Sequence, residues 1–164
     1  MNIYTIKNEY IEFLRQYDYK VAKNKNESRP YVGVILTINE IKYYAPFTSP
    51  KRKHETMHNT KDFRKIAGGR LGAINLNNMI PVLDSAILPI HINDVENQQY
   101  RRLLQNQYAA IQQDSESIIL AAERLYSLIF TPDESLTMND KKIKNRCCNL
   151  PLLESIYVNW ESEM

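Results

Sequence analysis

The chain has 164 residues, 43% hydrophobic and 24% charged, a length that suits a single core needing neither disulfides nor metal to hold it. No stretch approaches the roughly 20 apolar residues of a membrane span, and the first ten residues carry no apolar signal core. The two cysteines, Cys147 and Cys148, are adjacent, which argues against a disulfide scaffold or a structural zinc site. The expectation is one soluble, cytoplasmic domain spanning 1–164. The formal charge of +2 hides an asymmetry: residues 20–70 hold twelve Lys/Arg against four acids, a local +8, and the remainder sums to −6. That bias points to a polyanion on one surface, with a solvated basic loop as the alternative of equal weight. Eleven tyrosines shift the balance toward nucleic acid, because a phenol ring stacks on bases and its hydroxyl reaches phosphate.

In chain order, Ile3–Ile6 predicts a first strand. Tyr10, Ile11, Phe13, Leu14 and Tyr17 then recur at helical spacing, with Asn8 as N-cap. Residues 22–30 read as a polar, basic loop. Tyr31–Ile38 is the strongest strand signal; Asn39-Glu40 turns it into a hairpin partner over Ile41–Ala45, ending at Pro46. Thr60 can cap a brief helix over Lys61–Ala67 closed by Gly68-Gly69, and Leu71–Leu76 and Met79–Leu83 read as two further strands. Two apolar stripes follow at helical spacing, Tyr100 to Ile111 and, after an Asp114-Ser115 cap, Ile118 to Ile129. Leu150–Trp160 predicts a last short helix. Strands early and helices late give an α+β class, a twisted antiparallel sheet with helices packed on it.

The run Tyr44-Ala45-Pro46-Phe47-Thr48-Ser49-Pro50-Lys51-Arg52-Lys53-His54 resembles the signature of the ToxN/AbiQ toxins of type III toxin–antitoxin systems. Tyr4-Thr5-Ile6, Tyr31-Val32-Gly33-Val34, Leu71 to Leu76, Met79 to Val82, Tyr100 to Leu104 and Cys148-Asn149 with Leu152-Leu153-Glu154 resemble the same family in the same order. The resemblance implies a fold similar to the MazF/Kid/CcdB toxins and a metal-independent endoribonuclease without cofactor. It also implies a bacterial toxin with a part in phage defence by abortive infection. Its products would carry 2′,3′-cyclic phosphate and 5′-hydroxyl ends. The implied partners are cellular or phage RNA as substrate and a processed antitoxin RNA pseudoknot that inhibits the toxin in a closed assembly, with neither membrane nor DNA involved. Thr48, Ser49 and Lys51 match the family's catalytic motif. Arg29 stands where the family has an active-site lysine, and Lys25 stands near the place of a family tyrosine.

The residue types suit that chemistry on their own. A 2′-hydroxyl attacking its neighbouring phosphate needs a proton taken up, charge balanced on the phosphorane and a proton delivered to the 5′-oxygen. Lys51 and its neighbours supply positive charge, and Thr48 and Ser49 supply short hydroxyl donors. Arg29 suits charge stabilisation better than proton transfer. Tyr31, Arg52, Lys53, His54, Lys23 and Lys25 are expected to contact RNA, with Tyr31, Lys23 or His54 open as the proton-transfer group. Other readings stand beside this one. Ser49 could merely cap a turn before Pro50, the whole chain could bind RNA without cutting it, and a gyrase-directed poison is a further use of the same fold. His58 and His91 read as surface residues, the two cysteines as free thiols with one buried, and the Tyr100–Ile129 stripes as core.

Overall fold

The computed structural model describes residues 1–163. Its strands are β1 (Asn2–Ile6), β2 (Tyr31–Ile38), β3 (Ile41–Thr48), β4 (Arg64–Lys65), β5 (Ala73–Ile74), β6 (Ile80–Pro81) and β7 (Ile87–Pro89). They form one sheet in the order β4-β5-β3-β2-β1-β7, with β6 also on β3, and every pairing is antiparallel. The helices are α1 (Asn8–Arg15), α2 (Arg52–Thr56), α3 (Gln98–Gln113), α4 (Ser115–Ile129), α5 (Met138–Arg146), α6 (Leu150–Ile156) and α7 (Asn159–Ser162). The α+β expectation therefore holds. The core joins Ile6, Tyr10, Ile11 and Leu14 to Ile35, Ile74, Leu76, Met79 and Ile80, closed by Leu104 of α3, Ala122 of α4 and Leu153 of α6.

The β2–β3 hairpin is the fold's organising unit. Asn39 and Glu40 both adopt positive φ, 51° and 68°, which matches the right-handed twist of the strands they join. The register begins as Ile38↔Ile41 and Leu36↔Tyr43, then shifts so that Val32 faces Ala45 and Tyr31 faces Pro46. Across the shift Gly33, Val34 and Ile35 oppose the single residue Tyr44, a bulge. The shifted register, continued one turn of the ladder, sets Arg29 level with Thr48, and the Phe47 N–H donates to the Pro30 carbonyl at 3.1 Å. The strand also runs through Pro46 instead of stopping there. The Pro46 carbonyl accepts from the Asn75 N–H, so its missing N–H faces the side where β5 is only two residues long.

Several local expectations change. Asn8 is not the cap of α1; the Glu27 carboxylate accepts from the Asn8 N–H at 3.0 Å, while the Asn8 side-chain oxygen accepts from Asn24. No helix forms over Lys61–Ala67; Thr60 bridges Phe63 and β4 pairs with β5, because Asp62 is drawn inward to a bidentate pair with Arg146 at 2.9 and 3.0 Å. The Asp114 side chain does not cap α4, since both its oxygens are taken by Arg64 at 2.7 and 2.8 Å. The strands expected over 71–76 and 79–83 contract to two residues each, and β7 and α5 had no sequence forecast. Leu150–Trp160 divides into α6 and α7, and both cysteines, not one, are buried free thiols. The caps that do operate in the second half are Asn97 for α3, Thr137 for α5 and Asn149 for α6.

One close approach fixes β5 against the end of β3. Gly72 has φ +99°, and a Cβ there would lie 1.9 Å from the Thr48 carbonyl oxygen. Gly72→Ala is therefore expected to cost about 1–3 kcal/mol of stability through overpacking and backbone strain, read as a lower midpoint in denaturant unfolding; an unchanged midpoint would contradict this packing.

Candidate active site

The shifted hairpin register brings two sequence-distant segments to the rim of one cleft of about 750 Å³. The loop 22–30 forms one wall, the end of β3 from Phe47 to Lys51 a second, and Tyr100 and Gln107 of α3 a third, with Asn75 and Asn78 between them.

The loop is built rather than slack. Asn24 is buried and donates to the Ile6 carbonyl and to Asn8, both at 2.7 Å. Lys25, Asn26 and Glu27 all take positive φ, and the Ser28 hydroxyl closes the bend on the Lys25 carbonyl at 2.6 Å. Arg29 donates from Nε to the Lys23 carbonyl at 2.6 Å, which anchors the root of its guanidinium and leaves the terminal nitrogens for an anion.

The end of β3 is held from both sides. Gly72 supports the Thr48 carbonyl, and Gln107, buried on α3, donates to the Leu71 carbonyl at 2.9 Å and to the Thr48 carbonyl at 3.4 Å. Beyond Pro50, the chain folds into α2 through a reciprocal pair. The Lys51 N–H donates to His54 Nδ1 at 3.1 Å, and the His54 N–H donates to the Lys51 carbonyl at 2.9 Å. The Thr48 hydroxyl is buried against the cleft with no partner among the described residues, whereas Ser49 and Lys51 are exposed.

Six of the ten residues singled out in the sequence thus share the cleft: Thr48, Ser49, Lys51, Arg29, Lys23 and Lys25. Four of these carry positive charge and no carboxylate lines the wall, so the cleft selects for an anion. Four others lie elsewhere. Tyr31 is fully buried in the core and its hydroxyl has no partner among the described residues; burial pushes its pKa up, so it stays a neutral phenol beyond the reach of RNA. His54 is only 3% exposed, and its ring works as the anchor of α2 instead of as an RNA contact. Arg52 and Lys53 are exposed on α2, outside the cleft lining. Neither they nor the cleft cations form an ion pair among the described residues.

Tyr100, Gln107, Asn75 and Asn78 enter the site without having been singled out. Gln107 did leave a signal. It follows Leu104 by three residues and Tyr100 by seven, so a polar amide sits on the apolar stripe of a helix, where it needs a buried partner. Tyr100 left only its place in the fragment Tyr100 to Leu104 of the family resemblance, because an aromatic on such a stripe otherwise reads as core. Among the described residues, no group of three or more His, Cys, Asp or Glu side chains converges as a metal-binding cluster.

A family model described as toxin ToxN of type III toxin–antitoxin systems matches residues 2–158. The chain is 30% identical over 173 residues to endoribonuclease ToxN of Pectobacterium atrosepticum, covering 99% of this chain and 95% of that protein. It is 34% identical over 155 residues to endoribonuclease ToxN of Bacillus thuringiensis subsp. kurstaki, covering 92% of this chain and 79% of that one. Among solved structures, one concerned with selective toxin inhibition by a non-coding RNA pseudoknot superposes with a TM-score of 0.84 at 29% identity, over 98% of this chain and 99% of that chain.

Burial, then the charges of Lys53 and Lys51, lowers the His54 pKa, so the folded protein resists a proton that the unfolded chain accepts. Stability from this ring is present above the ordinary histidine value of about 6.5 and is lost as pH falls below it. The unfolding midpoint is expected to fall on acidification from about pH 7.5 to about 5.5. His54→Asn, which keeps an acceptor for the Lys51 N–H, should show a shallower fall; identical pH profiles for the two proteins would contradict the anchoring role.

Proposed function

Because the chain belongs to the ToxN toxin family of type III toxin–antitoxin systems, a family of endoribonucleases, we propose that it cuts RNA in the cleft between the 22–30 loop and the end of β3. The observation that carries this reading is the cleft's chemistry. The exposed Ser49 hydroxyl stands beside Thr48 among four cations, in a cleft whose lining holds no carboxylate.

Chemically, the substrate brings its own nucleophile. The 2′-hydroxyl attacks the adjacent phosphorus, a cyclic phosphate forms, and the bond to the 5′-oxygen breaks. Ser49 donates to a non-bridging oxygen and Lys51 offsets the charge that grows there, while Thr48, its hydroxyl buried, fixes the strand end beneath them through its pairing with Ala73. Arg29, held at its Nε, grips the same or the next phosphate through its free nitrogens. A lysine at that position could exchange a proton, whereas the guanidinium does not, so Arg29 orients and stabilises but takes no proton. Lys23 and Lys25 receive the strand at the loop, and Arg52 and Lys53 meet phosphates beyond the cleft on α2. The step asks for no metal and no other cofactor.

Residues 1–164 work as one domain in the bacterial cytoplasm, consistent with the lack, among the described residues, of any helix long and apolar enough to cross a membrane. The inhibitory partner is a processed RNA pseudoknot laid across the same cleft, in closed toxin–RNA assemblies, and release of the toxin during phage infection arrests growth.

The test is to incubate purified protein with RNA in EDTA and identify the product ends. Cyclic 2′,3′-phosphates from the wild type support the reading, and intact RNA contradicts it. Ser49→Ala and Lys51→Ala should each reduce cleavage about 100-fold or more while leaving the unfolding midpoint in place; full growth arrest by either variant at equal expression would contradict the site. RNA affinity should fall steeply as salt rises, since several phosphates are neutralised, and a flat salt response would contradict the cationic cleft as the binding surface.

A further inference from the structure

The cleavage reaction needs two proton movements, and the structure withdraws two side chains that the sequence offered for them. His54 is buried and its Nδ1 is committed to the Lys51 N–H, and the Tyr31 hydroxyl is sealed in the core. Arg29 remains protonated. What the cleft then contains is Lys23, Lys25 and Lys51 on two walls and one phenol, Tyr100, on the third.

Tyr100 belongs to the first turn of α3, where the Asn97 side chain accepts its backbone N–H at 2.9 Å, so the residue's position is fixed by the helix cap. Two turns further on, Gln107 ties the same helix to the Leu71 and Thr48 carbonyls. The helix that carries Tyr100 is therefore braced against the strand end that carries Ser49. The ring is half-buried in the cleft and its hydroxyl makes no hydrogen bond among the described residues, whereas the Gln107 and Asn78 amides in the same lining are spent on backbone carbonyls.

We propose that Tyr100 is the general acid of the cleavage, donating its phenolic proton to the departing 5′-oxygen. The inference rests on the RNA-cutting function proposed above. As the 2′-oxygen bonds to phosphorus, the bond from phosphorus to the 5′-oxygen breaks, and that oxygen takes the Tyr100 proton to become the 5′-hydroxyl. The 2′-proton leaves to water, and the tyrosinate is reprotonated from solvent, so the enzyme ends as it began. A phenol suits this half of the reaction because it remains protonated at neutral pH and its acidity approaches that of the proton-demanding leaving oxygen in the transition state. Burial raises the Tyr100 pKa further, which keeps the proton in place until the leaving group calls for it.

The experiment compares two substrates at the linkage identified by product mapping. One is ordinary RNA, and the other has sulfur replacing the 5′-oxygen at that single linkage, because a thiolate departs without a proton. Tyr100→Phe removes one hydroxyl from a half-buried ring and is expected to keep the wild-type unfolding midpoint. It should cut ordinary RNA about 100-fold or more slowly than wild type under single-turnover conditions, yet cut the sulfur-substituted linkage at the wild-type rate. Equal slowing on both substrates would overturn the proposal in favour of a positioning or stacking role, and an unchanged rate on ordinary RNA would overturn it outright. Failure of the wild type to cut ordinary RNA would instead count against the endonuclease reading itself, so the two failures are distinct.

Discussion

The contact between Gly72 and the Thr48 carbonyl governs the rest of the molecule, since it sets where β3 ends and how its last residues point. No side chain fits at that place, because a Cβ would stand 1.9 Å from the oxygen. With β5 pressed this close, Thr48 pairs with Ala73, Gln107 can reach both Leu71 and Thr48, and α3 is drawn over the strand end. On the far side of Pro50 the His54 ring fixes the Lys51 amide. The short segment from Thr48 to Lys51 is thus clamped at its first and last residues, and the hydroxyls and ammonium between them are presented on rigid backbone. Preorganised donors of this kind stabilise charge without the cost of reorienting at the moment of reaction.

Electrostatics sets apart two groups among the twelve basic residues of the 20–70 segment. Lys42, Lys61 and Arg64 are matched to Asp84, Asp140 and Asp114, acids that lie later in the chain. These pairs fasten the early sheet to the later elements and absorb part of the local +8. Most are partly exposed and contribute little to stability singly, but the pairing of buried Asp62 with Arg146 holds the 60–63 bend in place. Lys23, Lys25, Arg29 and Lys51 have no such acid among the described residues and converge on the cleft. The charge asymmetry of the sequence is therefore partly structural mortar and partly unpaired charge gathered at one cleft, and only the three-dimensional pairing separates them.

The hairpin was legible because Tyr31–Ile38, the Asn39-Glu40 turn and the following strand carry strong local signals. The motif from Thr48 to Lys51 stood out as a candidate site because short hydroxyls and cations coincide in one short run. What escaped the sequence was decided at long range. Asn8, Thr60 and Asp114 all have the side chains of helix caps, yet Glu27, Asp62's pull toward Arg146 and Arg64 override each in turn. His54 looked like a titrating group facing RNA because nothing local shows that its ring turns inward. Tyr31 looked like a cleft residue because it follows Arg29 and Pro30, but strand alternation sends its side chain into the core. Tyr100 and Gln107 were hidden by an apolar stripe that also serves the site, and their distance in sequence from Ser49 concealed the contact that Gln107 makes.

In the proposed mechanism, catalysis depends on the clamped geometry of the Thr48–Lys51 backbone and not only on the side chains it carries. Gln107→Leu tests it most directly, since Gln107 reaches that backbone yet offers the substrate no proton or charge. The measurement is the single-turnover cleavage rate at saturating protein, taken alongside RNA affinity and the unfolding midpoint. The expected rate is about 10-fold or more below wild type, with affinity unchanged and the protein folded. A variant that is folded, binds RNA as before and cuts at the full rate would contradict it.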